Sequence, residues 1–394
     1  MEKFLHALNS APGCQYRILH KLWKVFGDWR YVWEKSQMRE LLAAGLAQDF
    51  VDRFLEFRRQ FDSDAEFAQL WDKDIAVMGR EHHEYPKELL PLPDAPFLLY
   101  RKGASLPGTS RKIAMVGTRA PSRYGENIAY DLAEALANHG IVTVSGLAFG
   151  IDAVVHFSTV SVEKPTIAVL ASGLYEITPT THHRLSEKIL ECGGSLISEY
   201  PPLSPAYPFR FLERNRIIAG ISEAVVVIEA GERSGALATA RRARDYGREV
   251  FALPGDILRP QARGCLKLLQ DGAHPLIGIE DFFLDIGLNF QNVSHKKLTE
   301  NQIGVLKHFD EDAGEGLSND RLLELTGLGI GPLSTVVTEL ELAGLIKQNA
   351  NFCWEKCSGI FFMKTPGSSH SFQCPLFIFF INHFFIQSKN YSII

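Results

Sequence analysis

Lys112-Ile113-Ala114-Met115-Val116-Gly117-Thr118-Arg119 is the stretch whose reading decides the fold. A short apolar run ends at a glycine, a hydroxyl and a guanidinium. A helix-like segment follows. Residues 141–144 repeat the apolar run, and Ser145-Gly146-Leu147-Ala148-Phe149-Gly150-Ile151-Asp152 repeats the break. The pattern returns at 166–170 and 224–228. Buried-strand signals that alternate with glycine-rich turns and helical patterns predict an α/β fold with a parallel sheet. Ligands on such sheets sit at the carboxyl ends of the strands. Those ends are where this chain places Gly, Ser, Asp and Arg.

The totals agree with a folded chain. Of its 394 residues, 46% are apolar and 22% charged, which excludes an intrinsically disordered protein. The formal net charge is -5, so nucleic-acid binding needs a local basic patch. The six cysteines are scattered without clustered histidines, which argues against a zinc site and for reduced thiols in the cytoplasm. The N-terminus opens an amphipathic helix and not a signal segment.

Working outward, residues 4–60 read as helices, similar to a helix-hairpin-helix or sterile-alpha-motif module, with a structural role favoured over DNA contact. Residues 74–78 are strand-like. His82-His83-Glu84 reads as an exposed polar loop and not a metal site. Residues 97–100 are a candidate edge strand. The first core turn lacks the GxGxxG dinucleotide fingerprint. It still offers an anion site: Gly117 for the tight bend, Thr118 and Ser122 hydroxyls, Arg119 and Arg123, and the amides of the following helix. Asp152 and His156 share a helix face; local bonding is the favoured reading, since no nucleophile accompanies them. Phe209 to Gly220 alternates basic and aromatic residues, a mixture that suits a single strand. Here an internal ion-pair network for Arg214 and Arg216 is the competing reading. Gly231, Ser234 and Gly235 ahead of a helix carrying Thr239 form the strongest phosphate-cradle signal.

Residues 299–356 read as a winged-helix-like unit. Thr299 and Gln302 make a capping box, three helical patterns follow, and a terminal hairpin closes the unit. The third helix carries Glu339 and Glu341 and no basic residue, so protein contact is favoured over DNA contact. The apolar stretch 375–386 is too short to span a membrane. The predicted organisation is therefore 1–65 helical, 66–288 the sheet domain, 289–298 a linker, 299–356 winged-helix-like, and 357–394 a tail without assigned role.

Several ordered motifs now point one way. They are Val116-Gly117-Thr118-Arg119 with Tyr124-Gly125, Ser145 to Ala148 with Gly150-Ile151-Asp152, and Ser198-Glu199-Tyr200-Pro201-Pro202. Arg214-Asn215-Arg216-Ile217-Ile218-Ala219-Gly220, Ser234-Gly235 with Thr239-Ala240, and Val250 to Gly255 complete them. Together they resemble the bacterial DNA-processing protein A family, also called Smf or DprA. The resemblance implies an extended Rossmann-like domain, single-stranded DNA binding, loading of the RecA recombinase, a homodimer, and a role in natural transformation. It implies no enzyme, cofactor or metal. The implied DNA-binding residues are Gly117, Thr118, Arg119, Arg123, Phe149, Arg214, Asn215, Arg216, Ser234, Gly235 and Thr239. The chain departs from the pattern at Phe149, where a basic residue is usual, at Tyr175, and at Leu212-Glu213. Two rival readings are a nucleotide phosphoribohydrolase-like enzyme on the same core, which would need a Pro-Gly-Gly loop absent here, and a scaffold that binds no DNA.

Overall fold

The structure, a computed structural model, describes residues 1–105, 110–288, 290, 299–310, 316–342, 346–349 and 353–356. The predicted tail, the predicted linker apart from Phe290, and most of the acidic run 310–315 lie outside them. The chain divides into two compact units, Met1–Phe290 and Gln291–Ile394.

The first unit opens with six helices: α1 (Glu2–Ser10), α2 (Tyr16–Phe26), α3 (Trp29–Glu34), α4 (Met38–Ala43), α5 (Gln48–Gln60) and α6 (Ser63–Asp72). Local chemistry sets their ends. Asp28 accepts hydrogen bonds from the Arg30 and Tyr31 amides at the start of α3, and Asp62 does the same for α6. Gly27 closes α2 in the left-handed region.

A nine-stranded sheet follows. Its strands and helices alternate: β1 (Ile75–Gly79), β2 (Leu98–Gly103), β3 (Lys112–Gly117), α7 (Arg123–Asn138), β4 (Val142–Ser145), α8 (Ile151–Ser161), β5 (Thr166–Val169), α9 (His183–Glu191) and β6 (Ser195–Ser198). Then come α10 (Pro208–Ile221), β7 (Ala224–Ile228), α11 (Gly235–Asp245), β8 (Glu249–Ala252), α12 (Arg263–Gln270), β9 (His274–Pro275) and α13 (Ile279–Asp285). The spatial order is β1-β2-β6-β5-β4-β3-β7-β8-β9. All pairs from β6 to β9 are parallel, while β1–β2 and β2–β6 are antiparallel. The strand read as an edge, 97–100, is therefore interior: β1 pairs outside it and takes the edge.

The two-residue period sorts the side chains of β3 between two cores. Ile113 and Met115 pack with α7, α8 and α13, and Ala114 and Val116 pack with α10, α11 and α12. Both faces are covered, which is why the strands read as unbroken apolar runs. A third cluster joins Leu5, Leu8, Leu22, Trp29 and Phe54 of the N-terminal helices to Ile75, Val77, Tyr100, Ala168 and Leu196 of the sheet. These helices thus share their core with the sheet.

The second unit holds α14 (Glu300–Asp310), α15 (Asn319–Thr326), α16 (Ile330–Leu342) and the antiparallel pair β10 (Ile346–Gln348) and β11 (Trp354–Lys356). The capping box forms as the spacing requires: Thr299 N donates to Gln302 Oε1 at 2.8 Å, and Gln302 N to Thr299 Oγ1 at 3.3 Å. Val305, Leu322, Val337, Leu340 and Trp354 fill its core.

Two buried histidines set a pH limit on the first unit. His6 shares a hydrogen bond with Tyr100, and His156 with Thr166. Burial lowers them to about 4 and about 3. Both values lie below the unfolded value of about 6.5, so this stability is full above that pH and is lost as pH falls toward 4. Each contributes a slope of up to about 1.4 kcal/mol per pH unit in that window. Melts between pH 7.5 and 4.5 should show the loss, and His156→Gln should flatten it; an unchanged slope would show that His156 is not neutral when folded.

Candidate nucleic-acid interface at the strand switch point

The chain runs from β3 outward through β4, β5 and β6, then returns to add β7 on the other side of β3. The crevice of such a sheet opens at this reversal, beyond the carboxyl ends of the strands. Here the loops after β3, β4 and β7 and the first turns of α10 enclose a cavity of about 490 Å³. Gly117, Thr118, Arg119, Asp152, Phe211, Arg214, Asn215, Arg233, Ser234, Gly235 and Thr239 are among its lining residues.

Close backbone approach builds it. A Cβ on Gly117 would stand 2.0 Å from the Ile228 carbonyl, and one on Gly150 would stand 2.3 Å from the Thr118 carbonyl. Gly150 also has φ near 75°, which side chains resist. The loops are stitched together: Thr118 N donates to Glu229 O at 2.8 Å, and Ile151 N to Thr118 O at 3.2 Å. Leu147 and Glu229 hold positive φ without being glycine, one after β4 and one after β7.

Arg214 forms the floor. It is 2% exposed. Its Nη1 donates to Gly146 O at 2.7 Å and also to Val169 O, so α10 is tied to the ends of β4 and β5. Gly146 leaves it room, since a Cβ there would meet the guanidinium at 2.4 Å. Burial lowers Arg214 to about 10, which keeps it cationic at neutral pH, and Asp152 is the carboxylate that supports its charge. Asp152 itself is pushed up by burial, against the pull of Arg214, and accepts from Ala148 N at 3.4 Å.

The rim is different. Arg119 is exposed, and its guanidinium lies 4.9 Å from the centre of the Phe211 ring. Arg233 is exposed beside the start of α11. Ser234 caps that helix by accepting from Ala236 N at 3.3 Å, and Asn215 Nδ2 donates to Gly235 O at 3.2 Å. Three arginines against one aspartate leave the lining with two positive charges in excess. The crevice is thus a basic, partly aromatic notch at a helix N-terminus.

The chain belongs to the DNA recombination-mediator protein A family. The family model matches residues 76–287. The chain is 37% identical to the protein Smf of Escherichia coli over 314 residues, covering 78% of this chain and 84% of that one. It is 40% identical to the DNA processing protein DprA of Bacillus subtilis over 216 residues, covering 55% and 72%. The crystal structure of DNA processing protein A from Streptococcus pneumoniae superposes with a TM-score of 0.62 at 32% identity, covering 74% of this chain and 99% of that one. The family consists of recombination mediators, not enzymes.

Not every residue expected at the site of this family member reaches the crevice. Arg216 points away and forms a buried ion pair with Glu199, the internal pairing that competed with DNA contact in the sequence. Arg123 is exposed on the first turn of α7, outside the lining. The α7 amides are not open to an anion either: Glu229 accepts from Ser122 N at 2.8 Å, and a Cβ on Gly125 would meet its carboxylate at 2.6 Å. Phe149 is half exposed and set edge-on to His182 at 5.0 Å, beside the crevice. Asp152 and His156 do not bond each other; His156 turns to the Thr166 hydroxyl at 2.9 Å. Arg233 was passed over because the phosphate-cradle pattern highlights Gly and Ser; its place between Gly231 and Ser234 was the available signal.

His82 and His83 stack at 4.5 Å, and Glu84, half-buried, pairs with Arg101 at 2.9 Å. The loop is thus less exposed than its polarity suggested. Among the described residues no three His, Cys, Asp or Glu side chains gather as a metal site, and no helix is long and apolar enough to cross a membrane.

Crevice geometry should be sensitive to one methyl group. Gly146→Ala and Gly150→Ala are expected to lose about 1–3 kcal/mol or more, through overpacking at the first and backbone strain at the second. Arg119→Ala, on the exposed rim, should melt within about 0.5 kcal/mol of the parent. Denaturant titration of the three variants checks the contrast.

Proposed function

We propose that the crevice holds single-stranded DNA in preference to duplex, and that the protein uses this grip to protect incoming DNA and load the RecA recombinase in natural transformation. The observation that carries the reading is the free Arg119 guanidinium resting on the Phe211 ring above a basic floor. A single strand offers both partners this pairing needs, a phosphate for the cation and an unstacked base for a ring. A duplex keeps its bases stacked and offers only phosphate. Gly117, Thr118, Asn215, Ser234, Gly235 and Thr239 shape and line the path, Arg119 and Arg233 meet phosphates, and Arg214 supplies charge from below. Phe149 is placed to stack a base at the edge of the site. Family membership supports the DNA-processing role and, with it, RecA as partner in the cytoplasm.

We also read the N-terminal helices as a sterile-alpha-motif-like module and residues 299–356 as a winged-helix-like one. The acidic α16 supports a protein partner for the latter: Glu339 accepts from Gln302 Nε2 at 2.7 Å, and no Lys or Arg lies on that helix. Exposed Ile277 and Leu284 near the β9 edge support a homodimer formed through the sheet unit. Light scattering at micromolar concentration should then return twice the chain mass of 44.0 kDa.

The direct test is a salt series with matched single-stranded and duplex oligonucleotides. Arg119→Ala and Arg233→Ala should each reduce the slope of log affinity against log salt by about 0.7 for single strands. The loss should be alike across sequences, because phosphate contacts carry no base information. Equal affinity for the two DNA forms, or normal binding by both variants, would sink the assignment.

A further inference from the structure

We infer that the first turn of α10 is a base-stacking ridge over which a single strand leaves the crevice, with Tyr207 and Phe209 as its rings and Arg210 as its cation. This rests on the DNA reading above and carries it to side chains outside the crevice lining.

Three observations meet on this turn. Tyr207 and Phe209 are 46% and 47% exposed, yet their rings lie parallel, with centres 5.8 Å apart and planes 6° from each other. Two exposed rings held in this way offer flat apolar area to a third ring. Arg210 is fixed beside them. Its guanidinium carbon lies 4.4 Å from the centre of the Tyr200 ring and 5.0 Å from that of Tyr207, and its Nη1 donates to Pro205 O at 2.7 Å. Among the described residues no carboxylate forms an ion pair with Arg210, so its charge is positioned and unspent. Glu213, on the next turn, is engaged by the Tyr200 hydroxyl at 3.0 Å. The turn also stands between two hollows. Pro208, Phe211 and Leu212 line the crevice, while Phe209 and Arg210 line a larger hollow of about 1000 Å³ against the N-terminal helices.

Repetition and continuity identify the occupant. A cation resting on a ring occurs twice along the turn: Arg119 on Phe211 at the crevice, and Arg210 on Tyr207 at the ridge. Phe211 and Tyr207 are four positions apart, about 6 Å along a helix axis. One nucleotide bridges such a gap. A single strand repeats base and phosphate, so it meets a ring and a cation at each of the two steps. Stacking needs no matched donors and acceptors, so the ridge takes any base. A duplex keeps its bases inside and gains nothing from the rings. Because the ridge adjoins the crevice, a strand seated there reaches Tyr207 and Phe209 without a separate binding event.

The experiment uses the full chain and fluorescent oligothymidylates of about four and about eight nucleotides, lengths that single-strand sites commonly cover. The longer strand should bind about tenfold tighter, the worth of one base stacked on a ring. Tyr207→Ala combined with Phe209→Ala should remove that gain and leave the shorter strand bound as before. Tyr207→Phe, which keeps the ring, should keep the gain. Abasic units in the added half, which retain every phosphate, should also remove the gain with the unaltered protein. Arg119→Ala should instead weaken both lengths alike. A melt checks that the double variant folds, and the abasic strands decide the same question without any variant. Equal binding of the two lengths, or a gain that survives the double variant or the abasic units, overturns the inference and leaves the DNA reading standing. A double variant that binds every strand like the parent and loses only its hold on the recombinase would give the ridge to a protein and overturn the inference too. If no strand binds at all, both readings fall.

Discussion

Arg214 is the constraint around which the ligand-facing end of the sheet is arranged. A guanidinium cannot shed its charge at neutral pH, so burying it obliges the fold to surround it with acceptors. The fold supplies the carbonyls of Gly146 and Val169, which are the free acceptors at the ends of two parallel strands. Asp152 adds a carboxylate at the start of α8. In return α10 is fixed across the sheet, and with it Phe211, Asn215 and the approach to α11. Gly146 follows from the same constraint, because any side chain there would occupy the guanidinium's place.

The ion pair of Arg216 with Glu199 is the companion constraint on the opposite face of α10. It lies under Tyr16 of the N-terminal helices, whose ring faces the guanidinium at 5.4 Å. Losing either partner would leave an uncompensated buried charge, a penalty of about 3–5 kcal/mol. The N-terminal helices and the sheet therefore meet through a polar contact inside a largely apolar cluster. This explains how residues 1–65, which read as a separate helical module, share a core with the sheet. Helical periodicity reports which face is buried, not what covers it.

The same distinction explains which parts of the site were legible. Strands β3, β4, β5 and β7 announced themselves because both faces of the sheet are covered and most of their side chains must be apolar, the buried Thr143, Ser145 and Thr166 bonding their hydroxyls inside the sheet unit. Gly117, Ser234 and Gly235 were legible because turns and helix caps restrict residue type locally. Arg119, Arg214 and Arg216 were not separable, since all three are arginines beside motif glycines. Their fates depend on which carbonyl or carboxylate lies opposite after folding: none for Arg119, two strand ends for Arg214, Glu199 for Arg216. The role of Glu229 is hidden from the sequence for a related reason. Its carboxylate crosses from the β7 loop to Ser122, 107 positions away in sequence, and occupies the α7 N-terminus that the sequence offers to an incoming phosphate. The edge strand at 97–100 failed for want of a partner that only topology provides.

A chain with net charge -5 binds phosphate only if its acids are kept away from the place where phosphate arrives. Surface pairing does part of this: Arg30 with Glu34, Arg53 with Asp49 and Arg321 with Glu324 cancel at distances of 2.8–2.9 Å. Such exposed pairs add little stability, but they flatten the field around them. Burial does the rest, removing Glu199 against Arg216 and Glu229 against the Ser122 amide. Asp152 alone stays in the crevice, and there it is needed to keep Arg214 charged. What remains at the crevice mouth is the residual field of Arg119 and Arg233 over a cationic floor, concentrated by low-dielectric walls. The positive field at this crevice is thus set less by how many arginines the chain carries than by which carboxylates the fold has already consumed.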